Sequence, residues 1–279
     1  MYPYIEIFGK SYATYGLMAM LGCFVAFAFI LYICPRYGAL RLNELYLIAF
    51  VVIFAVVGAK LLYVVGNISE LFTRSAQIFA SPEAFMDYLG AGFVFYGGLI
   101  GGCIGVIAYA RFFKENTVHM AEAFVPGVPL FHCFGRIGCF MAGCCYGIPT
   151  EGPLGITFTH SIVAPNGVSL LPIQLIEAGA NVITFIILLV FKKKLKRPLQ
   201  NFGLYLLIYS IERFIFEFFR GDLARGAFLN VSTSQWISLI LLPVAIYFLA
   251  ARPEKNVFIW ILGGRGEARA RAAKDTTMS

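Results

Sequence analysis

Long hydrophobic runs separated by short charged segments extend along almost the whole chain. A membrane-spanning helix needs about 20 mainly apolar residues, and three uncharged runs meet that length closely: 14–34, 89–110 and 235–251. Four further runs of similar length include a few charged residues: 45–66, 121–143, 172–191 and 202–219. The pattern predicts an all-α polytopic membrane protein with seven spans in one domain, residues 1–251, followed by a basic tail, residues 252–279.

The composition supports a membrane protein and excludes an ordinary soluble domain. Of the 279 residues, 59% are hydrophobic and only 13% are charged, and the mean hydropathy is +0.79. A soluble domain of this length exposes many more charged side chains. Residues 1–10 lack the basic segment that opens a secretory signal peptide, and the uncharged run from Ser11 to Cys34 is long enough to span. We therefore expect the first span to be retained.

Basic residues are concentrated at one end of alternate runs, which predicts the orientation of the chain. They follow the first, third, fifth and seventh runs, and they include most of the 22 lysines and arginines. These residues are Arg36, Arg41, Arg111, Lys114, Lys192, Lys193, Lys194, Lys196, Arg197, Arg252, Lys255, Arg265, Arg269, Arg271 and Lys274. Because cytoplasmic loops carry the excess of lysine and arginine, we expect the amino terminus outside and the carboxyl terminus in the cytoplasm.

With that orientation, most of the charged and polar residues of the spans, together with several cysteines and glycines, are expected in the outer half of the bilayer. Arg136 lies in an apolar run between Gly135 and Gly138, and a guanidinium at this depth marks a functional site because burying it unpaired is costly. The same outer region holds Tyr15, Tyr96, Gly97, Gly98, Cys139, Cys144, Cys145, Gln174, Glu177, Tyr209, Arg213, Glu217 and Arg220. The last four are spaced 4, 4 and 3 residues apart, which predicts that they share one helical face.

The charges within the spans permit two interpretations. They include Lys60, Arg136, Arg213, Glu177, Glu212 and Glu217. Three basic and three acidic groups could pair with one another as a purely structural network. Arg220 adds a positive charge at the interface, however, and the planar fork of arginine binds phosphate oxygens in pairs. The alternative is therefore a pocket for an anion, most plausibly a lipid phosphate.

The third span is rich in glycine, which also has two interpretations. Its glycines are Gly97, Gly98, Gly101, Gly102 and Gly105. Small residues four apart are typical of close helix packing in membranes, and the pattern alone favours this interpretation. The functional alternative is that Gly97 and Gly98 open a notch that lipid can enter.

Four cysteines near Arg136 raise the question of metal or redox chemistry. Cys133, Cys139, Cys144 and Cys145 lack the spacing of a zinc-binding pair, and adjacent cysteines rarely ligate one metal ion together. We therefore expect neither a metal nor another cofactor. Two alternatives remain open, namely inert or disulfide-bonded cysteines outside the cytoplasm and a reactive thiol activated by the nearby arginines.

Several motifs together resemble those of the prolipoprotein diacylglyceryl transferases. They are Tyr15-Gly16-Leu17-Met18, Gly58-Ala59-Lys60 with Tyr63, Tyr96-Gly97-Gly98-Leu99-Ile100-Gly101, Gly135-Arg136-Ile137-Gly138, and Tyr209 with Arg213 and Glu217-Phe218-Phe219-Arg220. The likeness extends from about Tyr15 to the seventh span.

The resemblance implies a multi-pass enzyme of the bacterial plasma (inner) membrane. It would transfer the diacylglyceryl group of phosphatidylglycerol to the lipobox cysteine thiol of a prolipoprotein signal peptide. Its partners would thus be these substrates and membrane lipid, without nucleic acid. Arg136 and Arg213 would bind phosphate, Glu217 would orient Arg213, and Tyr96 would stand in for the base. The remaining substrate-binding residues would be Tyr15, Gly97, Gly98, Gly138, Gln174, Glu177, Tyr209 and Arg220.

The chain also departs from the family pattern. Tyr96 replaces a histidine, Cys139 an asparagine and Cys144 a glutamate, while Lys60 stands where arginine is usual. The family's His-Pro-Ser-Gln-x-Tyr-Glu appears as Leu171-Pro172-Ile173-Gln174-Leu175-Ile176-Glu177. Phosphate-binding residues persist, whereas the residues that would activate a thiol differ. Two alternatives follow: a thiol-dependent lipid transferase with another acceptor, and a non-catalytic protein that binds anionic lipid.

Overall fold

The structure, a computed structural model, describes most of the chain as helices joined by short hairpins. The described residues are 2–33, 41–90, 95–113, 118, 122, 124–161, 163–222, 227–228 and 231–251. The chain divides into two compact units. The first comprises Met1–Tyr37 and Met120–Asn256, and the second comprises Gly38–His119 and Val257–Ser279. The predicted tail, 252–279, lies outside the described residues.

The described secondary structure is mainly helical. The helices are α1 (Thr14–Ile33), α2 (Arg41–Gly66), α3 (Ile68–Thr73), α4 (Ser75–Ile78), α5 (Pro82–Gly90), α6 (Phe95–Phe113), α7 (Gly127–Ala142), α8 (Ile173–Phe191), α9 (Gln200–Phe216) and α10 (Thr233–Ala250), with a 3₁₀ turn at Glu217–Phe219. The strands are β1 (Tyr4–Ile7), β2 (Lys10–Ala13), β3 (Ile156–Thr157), β4 (Ser169–Leu170), β5 (Ala227–Phe228) and β6 (Val231–Ser232). Each strand pairs antiparallel with its sequence neighbour, giving three two-stranded hairpins: β1 with β2, β3 with β4, and β5 with β6.

In the first unit, the helices pack in the order α1, α7, α8, α9 and α10. Glycines bring α1 and α7 close together. A Cβ atom at Gly22 would lie 2.7 Å from the Phe134 Cβ, and one at Gly127 would lie 2.8 Å from the Ile30 Cδ1. A side chain at Gly22 would therefore force the two helices apart, whereas one at Gly127 would require the end of the Ile30 side chain to shift. The close approach places the amino-terminal end of α1 directly beside the segment of α7 that carries Arg136.

The segment between α7 and α8 forms a small folded cap. Gly143, with a φ of 73°, ends α7 in the left-handed conformation that favours glycine. Phe158, Ala164 and Leu170 form a buried cluster within this segment. The amide of Ile148 donates to the Phe219 carbonyl at 3.0 Å. The cap therefore fixes the chain that leaves α7 against the chain that leaves α9.

The second unit is built on the packing of α2 against α6. A Cβ atom at Gly97 would overlap the Gly58 carbonyl oxygen, and one at Gly101 would overlap the Phe54 carbonyl oxygen. One at Gly98 would make only ordinary contact, 3.5 Å from the Ala55 carbonyl oxygen. The helix-packing interpretation therefore accounts for Gly97 and Gly101. A role for Gly97 and Gly98 in lipid binding stays a prediction.

Four of the described helices are long and apolar enough to cross a membrane. They are Thr14–Ile33, Leu42–Gly66, Ile173–Phe191 and Thr233–Ala250, and they coincide with the predicted runs 14–34, 45–66, 172–191 and 235–251. The other three predicted runs correspond to α6, of which Ile100–Phe113 is a shorter apolar helix, and to α7 and α9, which have 16 and 17 residues. The protein is therefore a mainly helical, multi-pass membrane protein.

Candidate functional site

The centre of the candidate site is a carboxylate shared by two arginines on neighbouring helices. Glu177, in the first turns of α8, lies with Oε2 2.5 Å from Nε of Arg136 on α7. Its Oε1 lies 3.7 Å from Nη1 of Arg213 on α9. Glu177 and Arg213 are buried, and the Arg136 side chain is 23% exposed. The structure thus brings together the two arginines and the glutamate that the sequence singled out.

Arg213 is held from two further directions. Its Nη2 lies 2.7 Å from Oε2 of Glu217, one turn later, and donates to the Ser234 hydroxyl at 2.6 Å. Ser234 lies in the first turn of α10, which begins at a capping box formed by Ser232 and Gln235. The predicted orientation of Arg213 by Glu217 agrees with this geometry. Since the cap fixes the start of α10, the Ser234 hydroxyl has a defined position beside the guanidinium.

Among the described residues, Arg213 has a buried nitrogen atom that is available to another acceptor. Nη1 of Arg213 is buried and forms no hydrogen bond with any residue that the structure describes. The described ion pair of Arg136 with Glu177 uses Nε. Buried donors are almost always hydrogen-bonded in native proteins. The arrangement therefore suits an anionic group that accepts hydrogen bonds from the guanidinium nitrogens.

Arg220 is not on the helical face predicted from its spacing. The helix ends at Phe216, and after the 3₁₀ turn Arg220 is extended, with φ −87° and ψ 138°. It forms an antiparallel bridge with Gly147 of the cap. The chain leaves the helix here because its backbone pairs with that of the cap, so the helical spacing rule no longer applies.

Asp222 neutralises the positive charge that Arg220 was expected to add. Nε of Arg220 donates to Oδ1 of Asp222 at 2.8 Å, and Nη2 donates to Oδ2 at 2.7 Å. Burial alone would lower the pKa of Arg220, but the bonds to Asp222 and Cys145 outweigh it and raise the pKa above its ordinary value. Among the described residues at the site, arginines and carboxylates balance. An anion at this site would therefore be bound by oriented N–H donors and not by excess positive charge.

Three thiols meet beside these arginines. Cys139 lies in the last turn of α7, and the Sγ atoms of Cys139, Cys144 and Cys145 all lie within 4.8 Å of one another. None of the six cysteines that the structure describes forms a disulfide. Hydrogen bonds from Cys139 and Cys144, followed by the charge of Arg220, hold the pKa of Cys145 well below its usual range. A reactive thiol is thus consistent with the structure.

The backbone of the thiol turn is fixed by hydrogen bonds. The amide of Cys144 donates to the Cys139 carbonyl at 3.0 Å, and Nε2 of Gln174 donates to the Cys144 carbonyl at 2.8 Å. Cys145 has a φ of 56°, which is uncommon for a residue other than glycine. Gln174, a predicted substrate-binding residue, therefore positions the thiol turn from α8.

Two predicted tyrosines flank the site within the first unit. Tyr15, on α1, is half-exposed and lies within electrostatic reach of Arg136 and the three thiols. A Cβ atom at Gly138 would lie 3.3 Å from the Tyr15 Cα, so this glycine gives α1 its close approach. The ring of Tyr209 lies near that of His132, with ring centroids 5.8 Å apart and planes tilted by 37°.

Other predicted site residues lie in the second unit or outside the described residues. Gly97 and Gly98 belong to α6 of the second unit. The backbone of Tyr96 is helical, but its side chain lies outside the described residues. Sequence reasoning missed Asp222 and Ser234. The proximity of Asp222 to Arg220 in the sequence was a usable signal, whereas Ser234 had none.

Apolar helices that enclose two arginines around one carboxylate define a multi-pass membrane protein with a charged site inside its helical bundle. Residues 4–251 match the sequence pattern of the prolipoprotein diacylglyceryl transferases. The chain therefore belongs to the prolipoprotein diacylglyceryl transferase family, as the resemblance of its motifs predicted, and the family is one of transferases.

Individual relatives match along most of their length. The chain is 38% identical over 245 residues to the phosphatidylglycerol–prolipoprotein diacylglyceryl transferase of Clostridium tetani, covering 87% of this chain and 94% of that protein. It is 35% identical over 237 residues to phosphatidylglycerol–prolipoprotein diacylglyceryl transferase 2 of Clostridium perfringens, covering 85% and 90%. A transferase of the same name from Dehalococcoides mccartyi is 29% identical over 246 residues, covering 87% and 90%.

Proposed function

We propose that this protein transfers the diacylglyceryl group of phosphatidylglycerol to the lipobox cysteine thiol of a prolipoprotein. Family membership over residues 4–251 supports the reaction class. The observation that carries the proposal is the meeting of Arg136 and Arg213 at Glu177. Two guanidinium groups held at one carboxylate can donate hydrogen bonds to the several oxygens of one phosphate.

The reaction requires stabilisation of a phosphate leaving group. The acceptor thiolate forms a carbon–sulfur bond with the terminal sp³ carbon of the diacylglyceryl group. The carbon–oxygen bond to phosphate breaks, its electron pair stays on that oxygen, and glycerol phosphate leaves. Negative charge therefore grows on the phosphate, where Arg136 and Arg213 donate hydrogen bonds. Donors fixed in advance stabilise such charge more than mobile water does.

The carboxylates hold the two arginines in place for this task. Glu177 positions Arg136 through Nε, and Glu217 with Ser234 positions Arg213 through Nη2. Tyr15 supplies a hydroxyl for the head group from α1, and Tyr209 supplies one from α9. Gly138 gives Tyr15 the room it needs, and Gln174 supports the thiol turn. Arg220 adds a further guanidinium at the edge of the site.

The acceptor thiol must lose its proton before its sulfur can attack. Tyr96 stands at the position of the family's histidine, and we retain it as the stand-in base. An unperturbed phenol has a pKa of about 10 and is a poor base at neutral pH. Activity with a prolipoprotein therefore requires another means of ionising the thiol, or a strong perturbation of Tyr96.

The same proposal includes the topology. Seven spans in residues 1–251 would place the amino terminus outside and the tail, 252–279, in the cytoplasm, where its basic residues would be attracted to anionic lipid. The site would then lie in the outer half of the bacterial plasma (inner) membrane. This position suits a secreted acceptor, whose signal peptide reaches that face. The four long apolar helices support the multi-pass part of this arrangement.

The thiol cluster favours a second candidate function, a thiol-dependent lipid transferase with a different acceptor. Cys139, Cys144 and Cys145 stand close together beside Arg220. In such an enzyme, replacing these cysteines one at a time abolishes transfer to the other acceptor. Cells would also turn over phosphatidylglycerol without gaining lipidated lipoprotein.

Complementation tests the proposed function. The chain is expressed in cells depleted of their own diacylglyceryl transferase, and lipidated lipoprotein is measured by mass spectrometry. We expect lipidation to be restored by the natural chain and not by Arg136→Ala or Arg213→Ala. Lack of lipidation by a correctly inserted natural chain would reject the activity. Lack of any phosphatidylglycerol turnover as well would favour a protein that only binds anionic lipid.

A further inference from the structure

The thiol cluster has a geometry that regular backbone does not give to adjacent cysteines. Neighbouring side chains diverge in a helix or a strand, which is why adjacent cysteines rarely share a ligand. Here Gly143 and Cys145 both have positive φ, 73° and 56°. The chain turns sharply after α7, and the Sγ atoms of Cys144 and Cys145 converge on that of Cys139.

We propose that Cys139, Cys144 and Cys145 bind a thiophilic cation of the zinc type, with one open position that takes the acceptor's cysteine thiol. The proposal rests on the proposed function for the identity of the acceptor. Zn²⁺ binds thiolate sulfur at about 2.3 Å, which places sulfurs about 3.8 Å apart in a tetrahedral site. The three Sγ atoms, within 4.8 Å of one another, need to move by only about 1 Å at most to meet that spacing.

The surroundings suit a three-thiolate zinc site. Three thiolates and Zn²⁺ carry a net charge of −1, and Arg220 donates a hydrogen bond to Cys145. Hydrogen-bond donors to ligating sulfur are typical outer-sphere partners of such sites. Asp222 in turn fixes Arg220 by two bonds. Cys139 is buried, whereas Cys144 and Cys145 are partly exposed, so an ion and then an acceptor can enter from one side.

An open fourth position gives the ion a role in the transfer. A thiol that coordinates zinc loses its proton outright, and here that proton passes to solvent. The coordinated sulfur then attacks the diacylglyceryl carbon, and the carbon–oxygen electron pair leaves on glycerol phosphate. Zn²⁺ is not oxidised or reduced, and the thioether product, a weaker ligand, is released. Arg136 interacts electrostatically with Cys139 and Cys145, so the acceptor sulfur would lie close to the phosphate site.

A bound zinc ion would also ionise the acceptor thiol in the absence of the family's histidine base. The family's histidine is replaced by Tyr96, a weak base, while its asparagine and glutamate are replaced by two of the three cluster cysteines, Cys139 and Cys144. Two of these three replacements thus supply thiols of the cluster, and one of them, Cys144, does so in place of an acidic group. Metal coordination would ionise the acceptor thiol at neutral pH without a strong base.

The test measures zinc binding on the full-length protein in phosphatidylglycerol-containing nanodiscs, prepared under reducing, anaerobic conditions. We expect about one zinc per protein after loading and desalting. Cys139→Ala and Cys145→Ala should each lower the zinc affinity by more than the roughly 10- to 100-fold typical of losing an outer-sphere partner. Cys133→Ala, on the same helix but outside the cluster, should retain zinc. Thermal unfolding identifies any variant that fails to fold. If Cys145→Ala fails to fold, the isosteric Cys145→Ser is measured in its place.

Cobalt substitution tests the open position. The charge-transfer bands of Co²⁺ bound to thiolates should change when a lipobox peptide is added, and a peptide with serine in place of its cysteine should leave them unchanged. Absence of retained zinc would overturn the proposal, as would a disulfide joining Cys139 to either neighbour in the anaerobically prepared protein. If the Co²⁺ charge-transfer bands stayed unchanged on addition of the cysteine peptide, the proposed open coordination position would be overturned.

The two proposals can fail separately. Full transfer by protein stripped of metal with a chelator would overturn the zinc site and leave the proposed function standing. Zinc binding with a cobalt response to the peptide, but without transfer from phosphatidylglycerol, would overturn the proposed function and leave the zinc site standing.

Discussion

Nε of Arg136 on α7 lies 2.5 Å from Oε2 of Glu177 on α8. The opposite oxygen of the same carboxylate faces Arg213 on α9 at 3.7 Å. One glutamate thus holds two guanidinium groups from two different helices close enough to act on one phosphate. Without its charge, the two cations would repel each other in a region of low dielectric. Glu177 is therefore the residue on which the geometry of the site depends.

Replacing the shared carboxylate should impair both activity and stability. Glu177→Gln keeps the shape of the side chain but removes the charge that pairs with Arg136 and Arg213. We expect kcat/KM for diacylglyceryl transfer to fall about 100-fold, since small misplacements of catalytic groups cost this much. Unfolding should also become easier by about 3 kcal/mol, because breaking a buried ion pair leaves an uncompensated charge. Glu151→Gln, on the exposed surface of the cap, is the matched control. Equal activity of the two variants would contradict the assignment.

For activity, the several N–H donors of the planar Arg213 guanidinium should be more important than its positive charge alone. Arg213→Lys retains a positive charge but cannot donate to Glu217, Ser234 and phosphate at once. We expect kcat to fall about 100-fold or more, the usual cost of losing one fixed donor to a developing anion. Arg111→Lys, at the exposed end of α6, should retain full activity. A lysine variant with normal kcat would show that charge alone suffices.

Adjacent glycines on α6 should respond in opposite ways to the same substitution. A Cβ atom at Gly101 would overlap the Phe54 carbonyl oxygen, whereas one at Gly102 would lie 3.7 Å from the Val51 Cγ1. Gly101→Ala should therefore destabilise the second unit by about 1–3 kcal/mol, and Gly102→Ala should be neutral or slightly stabilising. Thermal unfolding in detergent measures the difference. Similar Tm values for both variants would argue against the close packing of α2 and α6.

A bulky residue at Gly138 should displace Tyr15. A Cβ atom there would lie 3.1 Å from the Met18 Cβ and 3.3 Å from the Tyr15 Cα, so a leucine forces α1 away from α7. We expect a lower affinity for phosphatidylglycerol and a loss of about 1–3 kcal/mol of stability. Gly179→Leu is the control, because a Cβ atom at Gly179 meets no described atom within 4 Å. Lipid binding by mass spectrometry of the nanodisc-bound protein provides the readout, and unchanged binding by Gly138→Leu would count against the role of Tyr15.

The spans could be predicted because their signal is local. Four of the seven predicted runs correspond to long apolar helices, since the length and hydrophobicity of a run can be measured without knowing its neighbours. Helix ends depend on contacts far away in the sequence. The run 202–219 extends beyond the end of α9 because the chain after Phe216 turns to pair with the cap at Gly147.

The candidate site was predictable in its members but not in its charge balance. The rarity of charge in apolar runs identified Arg136, Glu177, Arg213 and Glu217. The spacing of the last two predicted that they share one helical face, and in the structure they form an ion pair. The partner of Arg220, Asp222, removed the positive excess that the sequence suggested. The convergence of three thiols depends on two left-handed residues, and the unusual one, Cys145, has no sequence signal for that conformation.

The most direct test of the central claim follows phosphatidylglycerol in the presence of a lipobox peptide. Purified protein in phosphatidylglycerol vesicles is incubated with the peptide, and mass spectrometry quantifies the diacylglyceryl thioether and released glycerol phosphate. The account predicts equal amounts of both products from the natural chain and a loss of about 100-fold for Arg213→Lys and for Glu177→Gln. Absence of both products with the natural chain, or undiminished products with the two variants, would contradict it.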